Sequence, residues 1–292
     1  MSELNRIQDL RQEAMVLVRR QQFDEALALY DEALALAADE ETRELLTINK
    51  ADTLIGLERG GAEVQALPMI LMRRRNAHHA FLAAYALMYK FRLSNDTKRS
   101  IFYGQIALDA AKEADKAFWK IAALNDLGIV YGIDSQFTNA IECFEQALAC
   151  MDSVSDSSEQ AFSRVAVIGN LGYNKLLIHD TVEGLRLMHS VVDAIESQNL
   201  RGESYIDLCY GYLDLEDYAK ALHYGQIGLE LATEERQIRN AHYLLGEAAY
   251  KLGDMDKAEF HFDELARYYP QFRNLKSLLF AIDIRSMLNL KL

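Results

Sequence analysis

The side chains in this sequence best suited to holding a ligand are amides, carboxylates and phenols that recur along the chain. They are Asn49 and Asp52, Tyr85 and Tyr89, Asn125 and Asp126, Asn170 and Tyr173, then Asp207, Tyr210 and Asp214, and finally Asn240, Tyr243 and Glu247. An asparagine amide donates and accepts at once, which suits an extended peptide backbone. A tyrosine offers large contact area at low entropy cost and adds a hydroxyl. Bond-breaking chemistry has no comparable set: there is no GxSxG, P-loop, GxGxxG or HExxH run. His78 and His79 are adjacent and so lie on different helix faces, while His242 and His261 have no metal-ligand companion at helical spacing. Cys143, Cys150 and Cys209 are odd in number and lack CxxC spacing, which argues against a zinc site or a disulfide framework. They read as small buried apolar residues. No catalytic residue, cofactor or metal is expected.

The elements that must position these side chains follow from a rhythm of small residues. Ala14, Ala51, Met88, Gly128, Gly172, Cys209 and Gly246 follow one another at steps of 37, 37, 40, 44, 37 and 37 residues. Twelve residues after each stand Ala26, Glu63, Ser100, Ala140, Gly184, Ala221 and Ala258, all small but Glu63. Large apolar residues lie three or four positions away, as Leu124, Leu127, Tyr131 and Phe144 do in the clearest unit, residues 121–151. Helix axes that approach to ~8 Å need small side chains where they cross. The pattern therefore predicts antiparallel helix pairs stacked as an array. The units fall near 7–40, 44–76, 79–114, 117–151, 160–196, 200–234 and 236–270, followed by a capping helix over 273–290, all in a single repeat domain spanning 1–292.

The second unit is the weakest. Arg59-Gly60-Gly61 is a strong break, a turn one residue shorter would bring Ala62 rather than Glu63 to the crossing, and Pro68 should kink the second helix or shift its start. Arg73, Arg74 and Arg75 read as cations at a helix C-terminus. The polar, serine-rich stretch 152–159 accounts for the 44-residue step and is a candidate modification or partner loop.

Lys and Arg number 31 against 44 Asp and Glu, a net charge of -13, which opposes binding to phosphate backbones. The N-terminal MSELNRIQDL has neither the basic nor the apolar region of a secretory signal, and the most apolar run, 80–89, is too short to span a bilayer. The expectation is a cytoplasmic protein with no nucleic-acid or membrane partner.

The units resemble tetratricopeptide repeats. Leu124, Leu127-Gly128, Tyr131, Ala140, Phe144 and Ala147 carry the family pattern most fully. Leu245-Gly246, Ala258, Phe262 and Pro270 carry it in the last unit, and Leu10, Ala14, Leu17, Ala26, Tyr30 and Ala33 in the first. The resemblance implies an all-α, right-handed α-α superhelix, and a non-catalytic scaffold that binds protein or peptide in its concave groove. The first helix of each pair would line that groove, which puts the amides, carboxylates and phenols above on its wall; the alternatives are tyrosines that fill gaps between repeats and Asn and Asp that are solvated groove surface. Asn49 and Asn170 sit at positions like those of the family's carboxylate clamp, but the Lys and Arg that such a clamp needs are missing around them and Asp126, Asp207 and Asp214 stand nearby. A neutral or basic ligand is therefore expected rather than an acidic tail. Two alternatives are a peptide-sensing regulator and a self-associating assembly component. The former usually carries a DNA-binding domain ahead of the repeats, for which a first repeat at residue 7 leaves no room. The latter would form a homo-oligomer through the apolar far side of the last helix, Phe280, Ile284 and Met287.

Overall fold

Seven tight turns punctuate the chain at the rhythm of the small residues. Gln21, Glu58, Asn95, Ser135, His179, Glu216 and Gly253 each stand seven residues after an aligned small position, and each has a positive φ, between 53° and 81°. The residue after each donates its amide to the carbonyl five positions back, as Gln22 does to Leu17 at 2.9 Å and Asp254 to Ala249 at 3.0 Å. This left-handed hydrogen-bonded stop satisfies carbonyls that a helix end leaves unpaired. Asp96, Asp217 and Asp254 then accept from the amides of Arg99, Lys220 and Lys257 at 3.0, 3.2 and 3.1 Å, starting the next helix in the same step.

The computed structural model describes residues 3–153 and 158–284. Among them the elements are α1 (Glu3–Arg19), α2 (Phe23–Leu36), α3 (Glu40–Gly56), α4 (Ala62–Arg73), α5 (Ala77–Leu93), α6 (Thr97–Glu113), α7 (Ala117–Ile133) and α8 (Phe137–Asp152). They continue with α9 (Ser158–Leu177), α10 (Thr181–Val191), α11 (Gln198–Asp214), α12 (Tyr218–Leu231), α13 (Glu235–Leu252), α14 (Met255–Arg267) and α15 (Leu275–Ala281), and no strand is present among the described residues. The helices fall into two compact units, one up to Val130 and one from Tyr131 onward, divided within α7.

In the first unit α1 packs on α2, α3 on α4 and α5 on α6. Ala14, Ala26 and Ala51 are fully buried at their crossings. The third pair has Met88 where the others have a small residue. Room comes from Gly104, since a Cβ there would lie 2.8 Å from the Met88 sulfur, and the Ser100 hydroxyl donates to the Met88 carbonyl at 2.9 Å. The second pair departs from expectation. Its connection is longer than the others, not shorter: α4 starts at Ala62, which is exposed, and the helix runs on through Pro68. Glu63 is tied instead to Lys50 at 2.8 Å, and Lys50 also reaches Asp31 at 2.6 Å.

The three arginines after Met72 act as ion-pair partners. Arg73 and Arg75 both hold the buried Glu44 at 3.1 Å and also pair with Glu40, while Arg74 pairs with Glu113. Burial alone would raise the Glu44 carboxyl, but hydrogen bonds from Arg75, Arg73 and His79 outweigh it and hold Glu44 below the usual carboxylate range.

In the second unit the crossings are tightest at glycine. A Cβ on Gly172 would lie 3.1 Å from the Gly184 carbonyl oxygen, one on Gly184 would lie 2.9 Å from that of Gly172, and one on Gly246 would lie 2.4 Å from the Phe262 ring. Cys143 and Cys209 are buried and Cys150 partly so, all three free; burial pushes the Cys143 thiol up to about 11 and the Cys209 thiol further. The last helix is shorter than expected. It ends at Ala281, and Ile282, counted into its apolar stripe, is already extended. Phe280, expected on the outer face, packs edge-on against Phe262 and Tyr250 at 5.0 and 5.3 Å. Met287 and most of the serine-rich stretch, 154–157, lie outside the described residues.

Candidate functional site

In the first unit, polar side chains from the first helix of each successive pair meet in a row. Arg11 of α1 donates its Nε–H to Asn49 Oδ1 of α3 at 2.7 Å. Asp52, one helical turn further along α3, is an electrostatic neighbour of Tyr85 on α5. The Tyr85 hydroxyl donates to Asp126 Oδ2 of α7. Asp126 also accepts from the Asn125 amide at 3.2 Å and lies 3.7 Å from Arg92 of α5. The Arg92 guanidinium sits over the Tyr89 ring, 5.0 Å from its centroid.

Burial and then Asp126 push the Tyr85 hydroxyl far above its ordinary value, so it stays protonated and remains a donor. Asp52 is exposed to solvent yet crowded by protein, and this desolvation raises its carboxyl above the ordinary aspartate value. Of the sequence-predicted residues of this unit, Tyr85, Tyr89, Asn125 and Asp126 are thus brought together around Asp126 and Arg92, while Asn49 is bonded to Arg11. The row also brings in Arg11 and Arg92, both already engaged, by Asn49 and by Asp126. Arg11 stands 38 residues from Asn49 and Arg92 stands 34 from Asp126, about one repeat in each case, and that spacing was the available signal. Trp119, the only tryptophan, stacks between Phe81 and His78 at 4.8 and 5.1 Å, and Phe81 stacks in turn on Tyr85 at 5.4 Å.

The predicted residues of the second unit are placed differently. Tyr173, Tyr210, Tyr243 and Asp207 are only 3–4% exposed, and the three tyrosines belong to the core between helices rather than to an open wall. The Tyr243 hydroxyl accepts from the Ile284 amide at 3.1 Å, fastening the segment after α15. Asn170 is half-buried, and its carbonyl accepts from the Asn174 side chain at 2.9 Å. Asn240 borders a largely apolar cavity of about 200 Å³ with Arg239, Tyr269 and Phe272.

One pairing escaped the sequence. His242 and His261 are buried with their Nδ1 atoms 3.0 Å apart. They come together across α13 and α14, four residues before Gly246 and three after Ala258. Antiparallel helices bring together residues equally far from their turn, so the spacing that located the crossing also located this pair. Among the described residues no group of three or more His, Cys, Asp or Glu is placed to share a metal ion, and no helix is long and apolar enough to cross a membrane.

Residues 239–272 match the family model of the tetratricopeptide repeat. No curated protein sequence matches the chain. Among solved structures, the fold is similar to the apo form of the quorum sensor NprR from B. thuringiensis, with a TM-score of 0.73 and 15% identity over 94% of this chain and 79% of that one. It is similar to the apo form of RapI, with a TM-score of 0.70 and 14% identity over the same shares. It is also similar to NprR in complex with its cognate peptide NprX, with a TM-score of 0.64 and 13% identity over 94% of this chain and 82% of that one. Residues 239–272 are thus matched as one tetratricopeptide repeat, and the recurring helix-turn-helix units of the chain share the fold of these solved structures.

Proposed function

We propose that the chain is a non-catalytic scaffold that binds a protein or peptide segment along the polar row of its first unit. The observation that carries this reading is the row itself. Four successive first helices carry these amides, phenols and charges, with Arg11 of α1 bonded to Asn49 of α3 and with Tyr85 and Arg92 of α5 on Asp126 of α7. Groups of this kind fix the register of an extended ligand, while contact along the groove supplies affinity. The ligand is neutral or basic, and the binding is cytoplasmic, where three free cysteines suit a reducing compartment. The similarity to NprR, a quorum sensor with a structure bound to its cognate peptide, supports the variant in which ligand binding is sensed and passed on.

The test is an array of short random-sequence peptides probed with the wild type and with an Asn49→Ala/Asn125→Ala variant. The expected result is a set of binding peptides whose signal drops at least about tenfold in the variant, the loss of one or two polar contacts. Binding that is unchanged in the variant would remove the row from the site. An array without binders would remove the function.

A further inference from the structure

We propose that the aromatic-lined cavity between α13, α14 and α15 binds a carboxylate that carries one bulky apolar group, with Arg239 holding the carboxylate. Every residue lining this cavity belongs to the second unit, so the inference does not rest on the polar row or on its peptide.

The space exists because the chain changes character after α14. That helix ends at Arg267, and Pro270, which lacks an amide hydrogen, keeps the chain from running on as helix. The next helix, α15, has only 7 residues, less than two full turns, and cannot cover α13 and α14 along their length. A cavity of about 200 Å³ is left beneath it. Its aliphatic wall includes Leu265 of α14 and Leu279 of α15, both buried. The segment after α15 closes one side, held there by the bond from the Ile284 amide to the Tyr243 hydroxyl at 3.1 Å. The rings of Tyr269 and Phe272 form another side, 6.4 Å apart and inclined at 51°, and Phe272 is 59% exposed, at the boundary with solvent.

Arg239 of α13 is the one charged side chain lining the cavity. Its guanidinium lies over the Tyr269 ring, 5.5 Å from the centroid. Its ion pair among the described residues is with Glu235, one turn back on α13, at 3.6 Å, and Glu235 is exposed. A long, solvated pair of that kind holds a guanidinium weakly, whereas the ring face positions it and leaves the edge with its N–H donors open. That planar fork matches the two oxygens of a carboxylate. A phosphate dianion would call for a second cation, which the lining lacks, and an ammonium would be repelled. The rest of the ligand is set by the remaining wall. An unfilled apolar space forfeits dispersion contacts, and about 200 Å³ admits one phenyl or branched alkyl group that restores them.

The test titrates the full chain, by calorimetry, with phenylpropionate and isocaproate, with the amide and the amine that match phenylpropionate, and with short peptides ending in phenylalanine, C-terminally free or amidated. The expected result is saturable one-to-one binding of both acids, about ten- to hundredfold tighter than the amide, and no binding of the amine. Arg239→Gln brings the acids down to the level of the amide and leaves the amide unchanged. Leu275→Phe, which fills the space and keeps the arginine, abolishes binding of all of them. Free-ended peptides that bind as tightly as the acids identify the ligand as the C-terminus of a chain; peptides that fail where the acids bind identify it as a free acid. A preference for acid over amide that persists in Arg239→Gln overturns the inference. So does binding that survives Leu275→Phe, and so does a wild type that binds neither acid. If Leu275→Phe does not fold, as judged by circular dichroism, the comparison of acid with amide in the wild type and in Arg239→Gln decides alone. Each of these failures leaves the peptide array and the reading of the polar row untouched.

Discussion

Asp126 shows how a single side chain is held in this protein. The Tyr85 hydroxyl, the Asn125 amide and Arg92 converge on it from α5 and α7. Tyr85→Phe removes a donor to a charged acceptor and should cost about 1.5–3 kcal/mol, read as a lower urea midpoint with an unchanged m-value. The His242–His261 pair sets a pH dependence. Burial, then His242 and Lys257, lower His261 to about 4; burial also lowers His242, with Glu264 opposing and Arg267 adding to the shift. A histidine with a depressed folded-state value binds its proton more readily when unfolded. Its contribution is therefore complete above about pH 6.5 and is lost as the pH falls toward 4. For His261 that contribution is roughly 3 kcal/mol. Urea unfolding of the wild type and of His261→Phe across this window checks it: the wild type should lose stability more steeply than the variant, and parallel curves would refute the claim.

At the scale of the element, the turn decides most. Six of the seven left-handed turn residues are not glycine, and only Gly253 adopts that conformation without strain. A non-glycine residue there costs about 1–2 kcal/mol, partly offset because glycine makes the unfolded chain more flexible. Gln21→Gly and Glu216→Gly should therefore each stabilise the protein by up to about 1 kcal/mol, measured as a rise in thermal midpoint. The crossings respond the other way. Gly246→Ala places a Cβ 2.4 Å from the Phe262 ring and should cost about 1–3 kcal/mol through overpacking. The second pair shows the limit of the small-residue rule. Its glycine-rich connection delays α4, so the twelfth-residue position falls in the first turn of that helix, where Glu63 pairs with Lys50 instead of packing at a crossing.

For the whole molecule, charge is the property that acts at a distance. With a net charge of -13, association with a cationic peptide should be fast at low salt and should slow and weaken as the ionic strength rises past about 0.1 M, where screening sets in within ~10 Å. Stopped-flow titration over a salt series checks this, and a salt-independent rate would speak against a charged ligand. Self-association is the rival at this scale. Phe272, Leu278 and Ile282 are exposed near the end of the described chain. Light scattering over a concentration series separates the two: a monomer fits the scaffold, and a concentration-dependent oligomer fits an assembly component.

The sequence alone determined the helices and their turns. Ala14 with Ala26 and Gly172 with Gly184 mark crossings because close backbone approach admits only small side chains, and that constraint acts within a few dozen residues of chain. It also assigned Asn49, Tyr85, Asn125 and Asp126 to the first helices of their pairs. Only the tertiary structure decided which of the polar residues are compensated. Arg11 reaches Asn49 and Arg92 approaches Asp126 from other repeats, and Tyr173, Tyr210 and Tyr243 are sealed into a core. The reason is that helix periodicity fixes the face a residue occupies, whereas its partner is set by the register between neighbouring pairs, which rests on long-range packing that no local spacing encodes.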